Sequence, residues 1–199
     1  MFARTGILLV VSGPSGSGKT TLCRRLAAEG EAHYSISCTT RAPRPGEEDG
    51  RDYHFLTREA FEQRLAQGDF LEYATVHGNL YGTLKTEVLQ FLEHGTDVVM
   101  DIDVQGAEQI RACRDAEILS AVVDLFVMPP GEKELHERLA GRGTDSGEII
   151  ALRMQNALEE MTHWRNYTYC LLSSTKESDY ERFRATVMAE RLRVSRMKA

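Results

Sequence analysis

The chain has no apolar run of membrane-spanning length, and its N-terminus lacks the pattern of a signal peptide. Positive charge is in deficit. With 24 Lys and Arg against 30 Asp and Glu, the net charge is −6, which argues against a general nucleic-acid or membrane-surface binder. Any anionic ligand must therefore be held by local basic clusters. Cysteine is sparse, and Cys23, Cys38, Cys113 and Cys170 show neither CxxC nor zinc spacing. The six histidines are scattered, with no HExxH. These absences point to free thiols in a reducing cytoplasm. There is no internal repeat, low-complexity tract or long linker. What remains is one domain of 199 residues, 42% hydrophobic and 27% charged, a globular balance with enough chain for a proper core.

One stretch stands out against that background: Gly13-Pro14-Ser15-Gly16-Ser17-Gly18-Lys19-Thr20, which fits GxxxxGK[ST]. The unbroken apolar run Ile7–Val11 before it reads as a strand buried on both faces. After it, Leu22 and Leu26 recur at helical spacing. Glycines on such a strand-to-helix turn let a phosphate approach the main chain, where N–H groups and the helix N-terminus favour an anion. Lys19 would reach the β- and γ-phosphates, the Thr20 hydroxyl would ligate Mg²⁺, and Thr21 continues the ATP-binding segment. This is a nucleoside triphosphate site.

Further along, Tyr34–Cys38 alternates like a short strand and runs into a Pro- and Gly-broken loop. A second short strand is expected at Tyr53–Leu56. Thr57 is placed to cap a helix carrying Phe61 and Leu65 that Gly68 ends. Phe70–Val76 reads as a strand, His77-Gly78-Asn79 as a turn, and Leu84–His94 as a helix stopped by Gly95. The strand-rich stretch from about 34 to 83 interrupts an α/β alternation that then resumes. Val98–Ile102 is a buried strand carrying Asp101 near its end, the position of a Mg²⁺ carboxylate acting through water. A helix is expected over Ala107–Cys113, a strand over Ala121–Met128, and a helix over Glu132–Ala140 after Pro129-Pro130-Gly131. Residues 141–147 read as a mobile loop. A long helix carries Ile149, Leu152, Met154 and Leu158. A strand at Tyr169–Leu172 and an amphipathic helix with Tyr180, Phe183 and Val187 finish the pattern. Alternating strands and helices predict a parallel sheet covered on both faces, with ligands at the strand C-terminal ends.

The segments SCTTRAPRPGEEDGRDYHF, GDFLEYATVHGNLYGT, VVMDIDVQGA and ERLAGRGTDSGE, in this order over nearly the whole chain, resemble guanylate kinase. The resemblance implies a P-loop α/β fold: core 1–33, 84–130 and 151–199, a GMP-binding insertion 34–83 and a lid 131–150. It implies that Arg41, Arg44, Tyr53 and Tyr81 hold the GMP phosphate. Ser37, Glu72, Thr83 and Asp103 would read guanine. Two guanidinium forks and two phenols suit a dianionic monophosphate, and a carboxylate such as Glu72 accepts from the donor edge of guanine. Arg138, Arg142 and Arg153 match the lid arginines, Arg142 sitting between two glycines. With Lys19 and Arg41 they would balance charge during transfer. The expected reaction is ATP + GMP → ADP + GDP with Mg²⁺, without nucleic-acid or membrane partners.

One departure matters. Guanylate kinases usually carry Asn-Asp after the last core strand, in a segment like VVVNDD near adenine. Here Ser173-Ser174 stand in those places. Serines reaching the base through water predict a relaxed donor choice, with GTP or dATP supporting turnover beside ATP. Two other readings compete: a kinase of ribose 1,5-bisphosphate, which would not need Glu72 and Asp103, and a catalytically inactive guanylate-kinase-like interaction module, which would not need an intact Lys19 and Thr20.

Overall fold

The computed structural model describes residues 3–76, 78–140 and 147–198. Strands β1 (Ala3–Arg4) and β2 (Leu8–Ser12) lead across the glycine-rich turn into helix α1 (Lys19–Ala28). Three two-residue strands follow, β3 (His33–Tyr34), β4 (Cys38–Thr39) and β5 (His54–Phe55). Helix α2 (Arg58–Ala66) precedes the antiparallel pair β6 (Phe70–Val76) and β7 (Asn79–Leu84). Then come α3 (Lys85–Leu92), β8 (Val98–Asp101), α4 (Val104–Arg111), α5 (Ala116–Ala121) and β9 (Val122–Met128). Helices α6 (Glu132–Ala140) and α7 (Gly147–Met161), strand β10 (Tyr169–Leu172), helix α8 (Lys176–Arg191) and strand β11 (Met197–Lys198) complete the order.

The core is a five-stranded parallel sheet in the order β10-β9-β2-β8-β3. Central β2 explains its own sequence. Leu9 and Val11 pack with Leu22 and Leu26 of α1 and Phe183 of α8, while Leu8 and Val10 pack with Val88 of α3 and Ile110 of α4. With helices on both faces no polar alternation is possible, and each fully buried Leu or Val contributes about 1.5–3 kcal/mol.

A second sheet, β5-β4-β7-β6, has its own core of Cys38, Phe61, Phe70 and Leu80, with Phe61 stacked on Phe70 at 4.2 Å. Its edge strand β6 is joined to α4 by the Gln109 carboxamide, which accepts from the Tyr73 N–H at 3.0 Å and donates to the Tyr73 carbonyl at 2.7 Å. That pairing satisfies backbone groups an edge strand would otherwise expose. A third cluster, Leu135, Leu139 and Ala157 with Met154 and Met161, joins α6 to α7.

Several expectations hold. The Thr57 hydroxyl caps α2 by accepting from the Ala60 N–H, and α6 spans the expected residues. Others need correction. The stretch from Tyr34 to Cys38 is not one strand: β3 lies parallel to β8 in the main sheet, and β4 pairs with β5 and β7 in the other. Two-residue strands are fixed by their partners, so local alternation joined what the sheets separate. Strand β7 and helix α5 are not announced by the sequence, and α4 begins at Val104 because Asp103 caps it. On α7 the residues Ile149, Leu152 and Leu158 are exposed, and Met154 and Ala157 face α6 instead. Residues 141–146 of the expected loop lie outside the described residues.

The start and end of the described chain are tied together at Asp97, whose side chain is 2% exposed. It accepts from the Ile7 N–H at 2.9 Å, from Arg4 at 2.5 and 3.0 Å, and from Arg191 at 2.7 Å. Asp97→Ala would leave a buried N–H without its acceptor and Arg4 without its carboxylate, while Arg191 keeps Glu31 at 2.9 Å. It is expected to destabilise the fold by about 3–5 kcal/mol. Urea unfolding measures this, and a loss under about 1 kcal/mol would show that Arg4 and Arg191 are already solvated.

Candidate active site

The glycine-rich turn and the carboxylate beside it leave the C-terminal edge of the main sheet, as expected of a parallel α/β fold. Gly13 to Gly18 turn from β2 into α1. At Gly13, φ is +145°, and a Cβ there would meet the Val127 carbonyl oxygen at 2.5 Å. A side chain at that position is excluded by both conformation and space. Helix α1 starts with no side-chain cap and no acidic residue in its first turn, so its N-terminal N–H groups face no competing anion there. The Ser17 hydroxyl is buried beneath the loop and has no hydrogen-bond partner among the described residues. An anion-shaped turn with an orphaned donor fits phosphate. The Lys19 ammonium, half-buried, donates back to the Pro14 carbonyl at 3.4 Å, and exposed Thr21 lies on α1.

Asp101 ends β8 and joins that loop. One carboxylate oxygen accepts from the Thr20 hydroxyl at 2.5 Å and the other from the Tyr34 hydroxyl. Hard oxygens from a hydroxyl and a carboxylate fit Mg²⁺, which completes its shell with water and phosphate oxygens. Asp101 does not cap the following helix; Asp103 does, accepting from the Gly106 N–H at 2.7 Å. Tyr34 is a partner that the sequence left unread. Burial, with the Asp101 charge adding to it, drives its phenol far above the usual range, so it stays a donor to Asp101.

The second sheet brings together the other predicted residues. Glu72 is 6% exposed and accepts from the Thr83 hydroxyl at 2.7 Å; Ser37 lies 3.2 Å from that hydroxyl. Burial pushes the Glu72 carboxyl up to about 7 from its ordinary 4.5; the Thr83 hydrogen bond opposes this and the Asp103 charge adds to it. Gly106 makes room: a Cβ there would come within 2.9 Å of Glu72 Oε2. Tyr53 and Tyr81 pack edge to face at 5.9 Å, with the Arg41 guanidinium 5.4 Å from the Tyr53 ring centre. Arg41 is gripped by Glu47 through two bonds of 2.9 Å from its Nη2 to both carboxylate oxygens, an anion held where the guanidinium could take a phosphate. Glu47 also accepts from the Arg44 N–H at 2.7 Å, while the Arg44 side chain is exposed.

The two halves meet. Thr20 and Asp101 from the phosphate loop side line one cavity of about 160 Å³ with Ser37 and Tyr53 from the second sheet, and Arg24 joins them there. Arg24 carries no motif that would single it out in the sequence; its place on α1 beside this cavity brings it in. Of the lid arginines, Arg138 on α6 donates to the Ser173 hydroxyl at 3.3 Å, and Arg153 is half-buried on α7. Arg142 lies outside the described residues.

A family model described as guanylate kinase matches residues 5–190. The guanylate kinase of Cereibacter sphaeroides is 46% identical over 98% of this chain and 91% of its own length. That of Clostridium tetani is 39% identical over 97% of this chain and 90% of its own. A crystal structure of guanylate kinase from Anaplasma phagocytophilum superposes with a TM-score of 0.79 at 30% identity, covering 99% of this chain and 92% of that one.

The raised Glu72 carboxyl makes a stability prediction. Between about pH 4.5 and 7 the folded protein holds a proton there that the unfolded chain releases. Its contribution is therefore full below about pH 4.5 and is lost as pH rises through about 7. Glu72→Gln removes this dependence, so its Tm advantage over the parent should widen by several degrees from pH 5 to pH 8. Parallel Tm profiles for the two proteins would mean that Glu72 is solvated in solution.

Proposed function

The chain belongs to the guanylate kinase family and is an ATP:GMP phosphotransferase, and we propose that the residues assembled above carry its reaction. The cavity shared by Thr20, Asp101, Ser37 and Tyr53 is the observation that carries this reading, because it joins a triphosphate loop to an acceptor site. Phosphoryl transfer asks little covalent work of the protein, so catalysis is positioning and charge balance. The phosphate loop from Gly13 to Thr21 holds ATP, with Lys19 on the β- and γ-phosphates. Thr20 and Asp101 would hold Mg²⁺, which neutralises phosphate charge when bound. Arg41, Arg44, Tyr53 and Tyr81 take the GMP phosphate, Arg41 exchanging Glu47 for it. Arg138, Arg142 and Arg153 complete the positive surround and exclude water as the lid closes.

Guanine is read by Glu72, Ser37, Thr83 and Asp103. Ionised Glu72 accepts from the ring N–H and the 2-amino group, donors that adenine does not offer together on that edge. A base lacking them leaves a buried carboxylate unpaired, which is a strong basis for rejection. The boundaries that go with this reading are a core of 1–33, 84–130 and 151–199, an acceptor insertion at 34–83 and a lid at 131–150. A cytoplasmic location belongs to it too: the four cysteines are free, and no described helix is long and apolar enough to cross a membrane.

A coupled ADP-release assay over GMP, AMP, UMP, CMP and ribose 1,5-bisphosphate tests the acceptor. GMP should dominate, and Glu72→Gln should lower its kcat/KM by roughly 1–3 kcal/mol in transition-state terms while narrowing the gap to AMP. Equal losses on GMP and AMP would make Glu72 a structural residue. For the phosphate loop, Lys19→Ala should reduce kcat by about 10³-fold or more. Near-normal turnover in that variant would remove the loop from the reaction.

A further inference from the structure

The cavity beside the phosphate loop, about 580 Å³, is lined by Gly16, Gly18 and Thr21 together with Ser173, Ser174 and Asp179. Its size suits a small ligand, and the loop residues make it the continuation of the triphosphate site. Asp179, in the first turn of α8, is 7% exposed. Its Oδ2 accepts from the Ser173 hydroxyl at 2.8 Å. Its Oδ1 accepts from the Ser174 hydroxyl at 3.1 Å, the Ser174 N–H at 2.8 Å and Arg182 at 2.7 Å.

Those partners fix both hydroxyl protons. A carboxylate only accepts and a guanidinium only donates. The Ser173 proton therefore lies on Asp179, and the Ser173 oxygen receives Arg138 at 3.3 Å. In the same way the Ser174 proton lies on Asp179, and its oxygen lies 3.0 Å from an Arg182 nitrogen shared with Asp179 and the Leu172 carbonyl. Each hydroxyl has one lone pair left and no proton to give.

We infer that Asp179 sets the choice of phosphoryl donor, by turning Ser173 and Ser174 into acceptors that take the 6-amino group of adenine and oppose a 6-oxo purine. The inference rests on the reading of this cavity as the donor site and deepens it. Adenine presents an N6–H₂ donor where guanine presents the O6 acceptor. A 6-oxo base would set its oxygen against lone pairs whose protons are held elsewhere. The tolerance expected from serines reaching the base through water thus stands for dATP, whose base is adenine, and is reversed for GTP.

Inosine triphosphate is the sharpest probe, since it exchanges the 6-amino group for an oxo group without adding the 2-amino group of guanine. At saturating GMP, the natural protein should favour ATP over ITP by about 10-fold or more in kcat/KM. In Asp179→Asn the amide can donate as well as accept, so a serine proton is released toward the base and the ratio should fall to within about threefold. Ser173→Ala, which leaves the carboxylate in place, should lower the ratio through the loss of ATP activity, and it carries the test if Asp179→Asn does not fold. An unchanged ratio in folded variants, or no ATP preference in the natural protein, would overturn the inference and leave Asp179 as a brace for α8. Calorimetric binding of ADP and IDP gives the same ratio without turnover. A protein that phosphorylates no GMP but still prefers ADP would separate failure of the catalytic reading from failure of this one.

Discussion

Strand β2 is buried on both faces and hydrogen-bonded on both edges, to β8 and to β9. Such a strand has no free direction in which to shift without breaking a ladder or opening a cavity. The turn that leaves its C-terminal end is consequently held from below, with Gly13 pressed against the Val127 carbonyl of β9. Neighbouring strand ends are fixed by the same ladders: Asp101 at β8, Ser173 after β10, Tyr34 on β3. Pre-organisation of the phosphate loop and its carboxylate is a property of the sheet as a whole, which is what electrostatic catalysis requires.

The acceptor site follows another logic. Glu72 stands on the second sheet but reaches its electrostatic surroundings through α4, which brings Asp103 and the small Gly106 against it. Burying a carboxylate near a second one is costly, and the raised Glu72 carboxyl records that cost. A donor-rich ligand edge relieves it. On the reading proposed above, poor solvation in the free protein and discrimination in the bound one are two aspects of one arrangement. Arg41 shows the converse device, with the Glu47 carboxylate holding its Nη2 and the Ala42 carbonyl its Nη1, so the guanidinium is oriented without a phosphate.

On the donor side the same economy of partners decides which way hydroxyl protons point. Ser173 and Ser174 are each bracketed by an acceptor-only carboxylate and a donor-only guanidinium. Three elements take part: the end of β10, the first turn of α8, and, through Arg138, α6. Motion of α6 would change the hydrogen bonding of Ser173, because Arg138 ties that helix to the end of β10.

Much of this was readable from the chain. The phosphate loop, the buried strand before it, the Asp101 carboxylate, the Thr57 cap and the segment Phe70–Val76 announce themselves because each depends on residues a few positions apart. Ser37, Glu72 and Thr83 were legible as a set only through the family resemblance, and the second sheet brings them into contact. What the chain hid are features whose cause lies far away in sequence. The split of Tyr34–Cys38 between two sheets, the return strand Asn79–Leu84, and Tyr34 on Asp101 all require a partner strand to exist first. Asp179 reads in sequence as one more acidic residue at a helix start, and only the placement of β10 beside α8 makes it the acceptor of two serine protons. Local periodicity and turn chemistry set which elements form. Hydrogen-bond partners across the sheet ends decided what their side chains can do, because a hydroxyl donates or accepts according to a neighbour that the chain alone does not name.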